Sequence, residues 1–112
     1  MIFVKKLRFT GQEINEILSE ADGYIWIAVD VKKGSIAAGD ELTCTLKKAL
    51  LSQRSSISDI FGVGLDLTNG KIDFISQINI KYLDKKSTKF VPEEYRERIN
   101  SLIRYFFLEL PI

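Results

Sequence analysis

The chain has no histidine and a single cysteine, so its chemistry is left to carboxylates, amines, hydroxyls and one thiol. Without imidazole there is no Ser-His-Asp or Cys-His catalysis and no zinc site built on histidine. One thiol, Cys44, excludes a cysteine-built zinc or iron–sulfur site within one chain. No phosphate-binding P-loop is present, and Gly62-Val63-Gly64 is only a fragment of a dinucleotide fingerprint. Inside a strand pattern, glycine of this kind more often marks a bulge or a close backbone contact.

Three sets of residues remain as candidate sites. A two-residue turn at Asn69-Gly70 would set Asp66 directly across from Asp73, and like charges facing across a ladder are destabilising. Asp66 and Asp73 are therefore candidate metal ligands, for Ca²⁺ or Mg²⁺, which favour oxygen donors. The plain alternative is a pair of solvated carboxylates beside Lys71. Trp26 and Asp30, with Tyr24, lie on one face of a strand, and Gln77 and Asn79, with Gly62 and Gly64, lie on a face of a hairpin. If those faces coincide they line a shallow pocket with aromatic walls and amide donors; a solvated sheet face, or one covered by a second copy, is the alternative. Lys81, Lys85, Lys86 and Lys89 form a basic loop with Ser87 and Thr88 that could hold a phosphate or a nucleic-acid backbone. Asp84 and a net charge of +1 oppose that reading, and a solvated loop is the default. Cys44 has only Lys47 and Lys48 as activators, so with Leu51 it marks a partner surface rather than a reactive thiol.

These residues need a scaffold, and 112 residues suffice for one core without disulfide or metal support, so a single domain over 1–112 is expected. Sixteen basic against 15 acidic side chains give no global field for nucleic acid or anionic lipid. No apolar run approaches the roughly 20 residues of a membrane span. In Met1-Ile2-Phe3-Val4-Lys5-Lys6 the charges follow the apolar run, the wrong order for a signal peptide. The expectation is a soluble cytoplasmic protein.

Residues 1–9 read as a first strand, and Thr10-Gly11-Gln12-Glu13 as a capping box opening a helix with Ile14, Ile17, Leu18 and Ala21 at helical spacing. The strand over 24–31 is apolar on both faces, which places it centrally. Lys32-Lys33-Gly34 turns the chain into a short strand over 35–38, and Asp40 would cap a helix over 41–53 with Leu42, Leu46, Ala49 and Leu50 inward. A strand over 60–67, the Asn69-Gly70 turn as type I′, and a return strand over 72–82 follow. A last helix begins near Pro92, carries a stripe from Tyr95 to Leu110, and stops at Pro111. The order β-α-β-β-α-β-β-α predicts an α+β fold: a mainly antiparallel sheet of about five strands, with the helices packed on one face.

Several segments resemble an uncharacterised family of small bacterial and archaeal proteins, a domain of unknown function. The likeness runs through Ile27-Ala28-Val29-Asp30-Val31, Ala38-Gly39-Asp40-Glu41-Leu42, Ser58-Asp59-Ile60-Phe61-Gly62, Ile78-Asn79-Ile80-Lys81 and the closing helix. Asp30, Glu41 and Asn79 are the matched polar positions, which adds Glu41 to the candidate ligand-binding set. Thr43 and Thr45 stand where the resemblance leads one to expect a histidine and an acid. Such a family implies no activity, so no catalytic residue carries over. The functional expectation is a non-enzymatic binding or regulatory module that self-associates. The alternatives are a ligand- or divalent-metal-binding protein using carboxylates, conceivably a hydrolase, and a weak phosphate or nucleic-acid binder through the 81–89 loop. No cofactor is expected beyond Ca²⁺ or Mg²⁺ at the aspartate pair.

Overall fold

A computed structural model describes residues 2–39, 43–74 and 91–108. Among them, β1 (Ile2–Lys5), α1 (Gly11–Glu20), β2 (Tyr24–Asp30), β3 (Ser35–Gly39), α2 (Thr43–Ser52), β4 (Ile60–Asp66), β5 (Ile72–Asp73) and α3 (Glu93–Phe106) follow one another in the expected order. The strands form one antiparallel sheet in the order β1-β3-β2-β4-β5. The fold is α+β. β2 is central, as its two apolar faces require.

Alternation along β2 sorts the core into two layers. Ile25, Ile27 and Val29 join Phe61, Val63 and Leu65 of β4 on one face, where Ile14 and Ile17 of α1 and Ile99, Leu102, Ile103 and Phe106 of α3 cover them. Ala28, Ala37 and Ile60 point to the opposite face, under Leu46 and Leu50 of α2. The helices are therefore not gathered on one face: α1 and α3 share one, and α2 lies on the other. The physical reason is side-chain size. Ala28, Ala37 and Gly62 make that second face shallow at its middle, so a short helix with two leucines can seat close to the backbone.

Local chemistry sets the element ends. The Glu13 amide donates to Thr10 Oγ1 at 3.2 Å and the Thr10 amide to Glu13 Oε1 at 2.9 Å, a complete capping box. Lys5 Nζ reaches both Glu13 oxygens at 3.0 Å and ties the end of β1 to this cap. The Thr10 backbone donor and the Lys5 ammonium hold the Glu13 carboxyl below its ordinary range. α2 ends in a Schellman motif, with Ser55 N donating to Leu50 O at 3.2 Å and Arg54 N to Leu51 O at 3.0 Å. Arg54 occupies the left-handed position at φ +68° that usually falls to glycine. α3 ends at Phe106, capped by the Phe107 amide on Ile103 O, short of the expected stop at Pro111. The Asp40 cap, Leu42, the 75–82 part of the return strand and Leu110 lie outside the described residues.

Candidate functional site

The two hairpins, β2–β3 and β4–β5, are built to one plan. Each begins with an aspartate at the end of its first strand and closes four residues later on a glycine with positive φ: Asp30 and Gly34 (φ +73°), Asp66 and Gly70 (φ +75°). In both, the glycine amide donates to the aspartate carbonyl at 2.8 Å. The residue after each aspartate, Val31 or Leu67, is buried in the larger core layer. Its amide bonds across to the residue preceding the neighbouring strand, Val31 N to Asp59 O at 3.0 Å and Leu67 N to Gly23 O at 2.8 Å. The carboxylates then cap the loops. Asp30 Oδ1 accepts from the Lys32 and Lys33 amides at 3.0 and 2.8 Å, and Asp66 Oδ1 accepts from the Thr68 amide at 2.9 Å and its hydroxyl at 2.5 Å. A local two-fold axis through the β2–β4 pairing relates the two ends.

This construction corrects the expected hairpin register. β5 pairs Leu65 with Ile72 and Gly64 with Asp73, and Asp66 N donates to Lys71 O at 2.9 Å. The loop has four residues, 67–70, and Asn69 does not have the positive φ of a type I′ turn. Asp66 thus faces Lys71, and the direct Asp66–Asp73 opposition that motivated a cation site is replaced by a diagonal. Among the described residues no group of three or more metal-ligating side chains occurs.

The two ends of the shared sheet face differ in what covers them. Asp30 is fully buried, and its Oδ2 accepts from Ser55 Oγ at 2.6 Å. Lys33 Nζ donates to Gln53 O at 3.3 Å and Arg54 O at 2.8 Å, complementing the negative end of α2. Three neutral donors satisfy the Asp30 carboxylate, which locks the first hairpin to the end of α2. Ser55 and Lys33 carry this junction; the signal for them in the sequence is an aspartate four residues before a glycine, with a hydroxyl just past a helix.

Among the described residues no helix covers the other end. Tyr24 lies opposite Asp66, and Trp26 opposite Gly64, which on its other side faces Asp73. The rings of Tyr24 and Trp26 meet edge to face at 5.3 Å. Tyr24 lies over Gly64 so closely that any Cβ there would run into the phenol. Tyr24 is 38% exposed, Trp26 and Asp66 are half-buried, and Asp73 is exposed. Burial, then the charges of Asp73 and Asp66, push the phenol pKa up, so Tyr24 stays a protonated donor. The Thr68 hydroxyl and amide hold the Asp66 carboxyl below its ordinary range. A cleft of about 400 Å³ opens here, walled by Tyr24, Asp66, Lys71, Asp73, Phe74 and Arg96. A larger cleft, about 740 Å³, separates the same hairpin from the end of α3, and its walls mix core side chains such as Leu65, Ile72 and Ile103 with Asn69, Asn100 and Arg104.

Trp26, Asp66 and Asp73 are thus together at one corner, while Asp30 sits four residues beyond Trp26 along β2, about 13 Å away at strand spacing. Glu41, Gln77, Asn79, Lys81, Lys85, Lys86 and Lys89 lie outside the described residues. Cys44 is exposed on α2, and Leu51 with it, whereas the exposed Tyr105 and Leu108 at the end of α3 lie on the other side of the sheet. Among the described residues no helix is long and apolar enough to cross a membrane.

Residues 3–106 match the model of a family described as protein of unknown function (DUF5674), and the chain belongs to that family. No curated protein and no solved structure matches the chain.

Proposed function

We propose that this member of a family of unknown function is a non-catalytic binding module, and that the open corner of its sheet, Tyr24, Trp26, Gly64, Asp66 and Asp73, is the surface that meets the ligand. The observation that carries this reading is the contrast on one sheet face: the Asp30 end is sealed by α2, while the equivalent Asp66 end presents an aromatic pair over a bare glycine. Glycine inside a strand is costly unless its missing side chain is used, and here it leaves room for the outer end of the Tyr24 ring. Catalysis finds no support at the corner, where an aspartate tied into its own loop and a protonated phenol offer no base–nucleophile pair.

The test is an amide-resonance screen with small aromatic, cationic and sugar probes. Shifts clustered at residues 24–26, 64–66 and 73 support the reading; shifts confined to other surfaces, or none, contradict it. A second reading, self-association, draws on different residues. Leu7 and Leu108 are 70% and 65% exposed and flank in sequence the Phe9–Phe107 ring contact. Sedimentation of a dimer that Leu108→Glu dissolves would support it, and a monomer at every concentration would end it.

A further inference from the structure

We infer that the larger cleft, between the β4–β5 hairpin and the end of α3, is a second binding site, for a small monocarboxylic acid with an apolar body. The cleft touches the corner proposed above only through Ile72 and Phe74. Its floor lies on the opposite face of the sheet, where Leu65, Ile103 and Phe107 belong to the core layer under α1 and α3. Its volume of about 740 Å³ falls within the range of small-molecule sites, roughly 300–1,000 Å³.

Spacing along the end of α3 supplies one wall. Asn100, Ile103, Arg104 and Phe107 follow at i, i+3, i+4 and i+7, so one helical face carries two apolar and two polar side chains toward the hairpin. Ile103 and Phe107 are buried, Asn100 is half-buried and Arg104 is exposed, which sets an apolar floor beneath a polar rim. Leu65 faces Ile72 across the ladder and continues the floor. Asn69 extends the rim from the hairpin side. Its Oδ1 already accepts from the Lys71 amide at 2.8 Å, so what it offers a guest is its NH₂ group.

The rim therefore offers donors and a single charge. Arg104 is the one charged side chain lining the cleft, and no acidic side chain among the described residues pairs with it. A carboxylate brings what such a rim lacks, two acceptor oxygens and one negative charge, in a plane that the guanidinium fork matches. A phosphate group would bring nearly two negative charges to one cation. The negative end of α3 opposes an anion with roughly half a unit charge, less than the full charge of Arg104. The apolar floor selects the rest of the guest, an aromatic or branched aliphatic body rather than a sugar.

The experiment titrates the full chain with 4-phenylbutyrate and, in parallel, with 4-phenylbutanamide, its neutral isostere, following amide resonances. Saturable shifts at residues 65, 69–72 and 100–107 are expected, with the amide binding about threefold to tenfold more weakly than the carboxylate. Arg104→Gln should bring the carboxylate down to the level of the amide. Added salt should weaken the carboxylate alone in the unsubstituted chain, a readout that does not depend on how the variant folds. Equal binding of the two probes in the cleft, indifferent to salt and to Arg104→Gln, would overturn the carboxylate assignment. Shifts confined to residues 24–26 would support the corner and overturn the cleft. Silence from both probes would also overturn the cleft, and would leave the corner to its own probe screen.

Discussion

The β2–β3 and β4–β5 hairpins share an aspartate cap, a four-residue loop and a closing glycine, yet one has become a structural joint and the other an open surface. The difference lies outside the hairpins. Ser55 and the end of α2 sit on the first, so the Asp30 carboxylate is buried and its acceptors are spent. Among the described residues no helix sits on the second, where Asp66 satisfies its own loop and Tyr24 and Asp73 are exposed. Residue type did not separate the two aspartates. The layer above them did.

Truncating the two caps breaks this comparison most directly. Asp30→Ala strands two amides and a hydroxyl in a buried site and should cost about 3 kcal/mol in chemical denaturation. Asp66→Ala should cost clearly less, because water can replace the lost acceptor. Equal losses would mean that the two ends are not as differently covered as described. Arg54→Gly acts on the joint from the other side. Relieving a left-handed arginine at the Schellman position should stabilise by about 0.5–1 kcal/mol, and a destabilised variant would show that the arginine side chain matters there.

Acid should weaken the exposed caps. Asp66 and Glu13 titrate lower in the folded chain than their ordinary values of 3.8 and 4.5. A carboxyl depressed on folding contributes stability above its unfolded pKa and loses it as pH falls through the folded one. The melting temperature should therefore decline on acidification below about pH 4.5, and Glu13→Gln should flatten part of that decline. An unchanged slope in that variant would remove Glu13 from the account. The smallest expected effect is that of divalent cations. With Asp66 facing Lys71, calcium or magnesium at millimolar concentration should leave the resonances of residues 64–74 in place. A specific saturable shift there would revive the metal reading of Asp66 and Asp73.

Local signals were legible in the sequence. Thr10 and Glu13 specify a capping box within four residues, and the two apolar faces of 24–30 place that strand in the middle of the sheet. The hairpin register was not, because Asn69-Gly70 fits two loops. Read as a pair it closes a two-residue turn; read with Asp66 four residues before Gly70 it closes a longer one, as Asp30 does with Gly34. The side taken by α2 was equally hidden. Leu46 and Leu50 reveal that the helix has an apolar face but not which face of the sheet receives it, and only Ala28, Ala37 and Gly62 hint at the close approach. The corner was half visible: Trp26, Asp66 and Asp73 were singled out, but for separate chemistries. Their meeting depends on the β2–β4 register, which no local pattern encodes.

Quenching of Trp26 by the neutral quencher acrylamide tests the divided sheet face most directly. A half-exposed indole at the uncovered end of β2 should be quenched readily in the folded chain. An indole that acrylamide scarcely reaches would contradict an open corner at that end of β2.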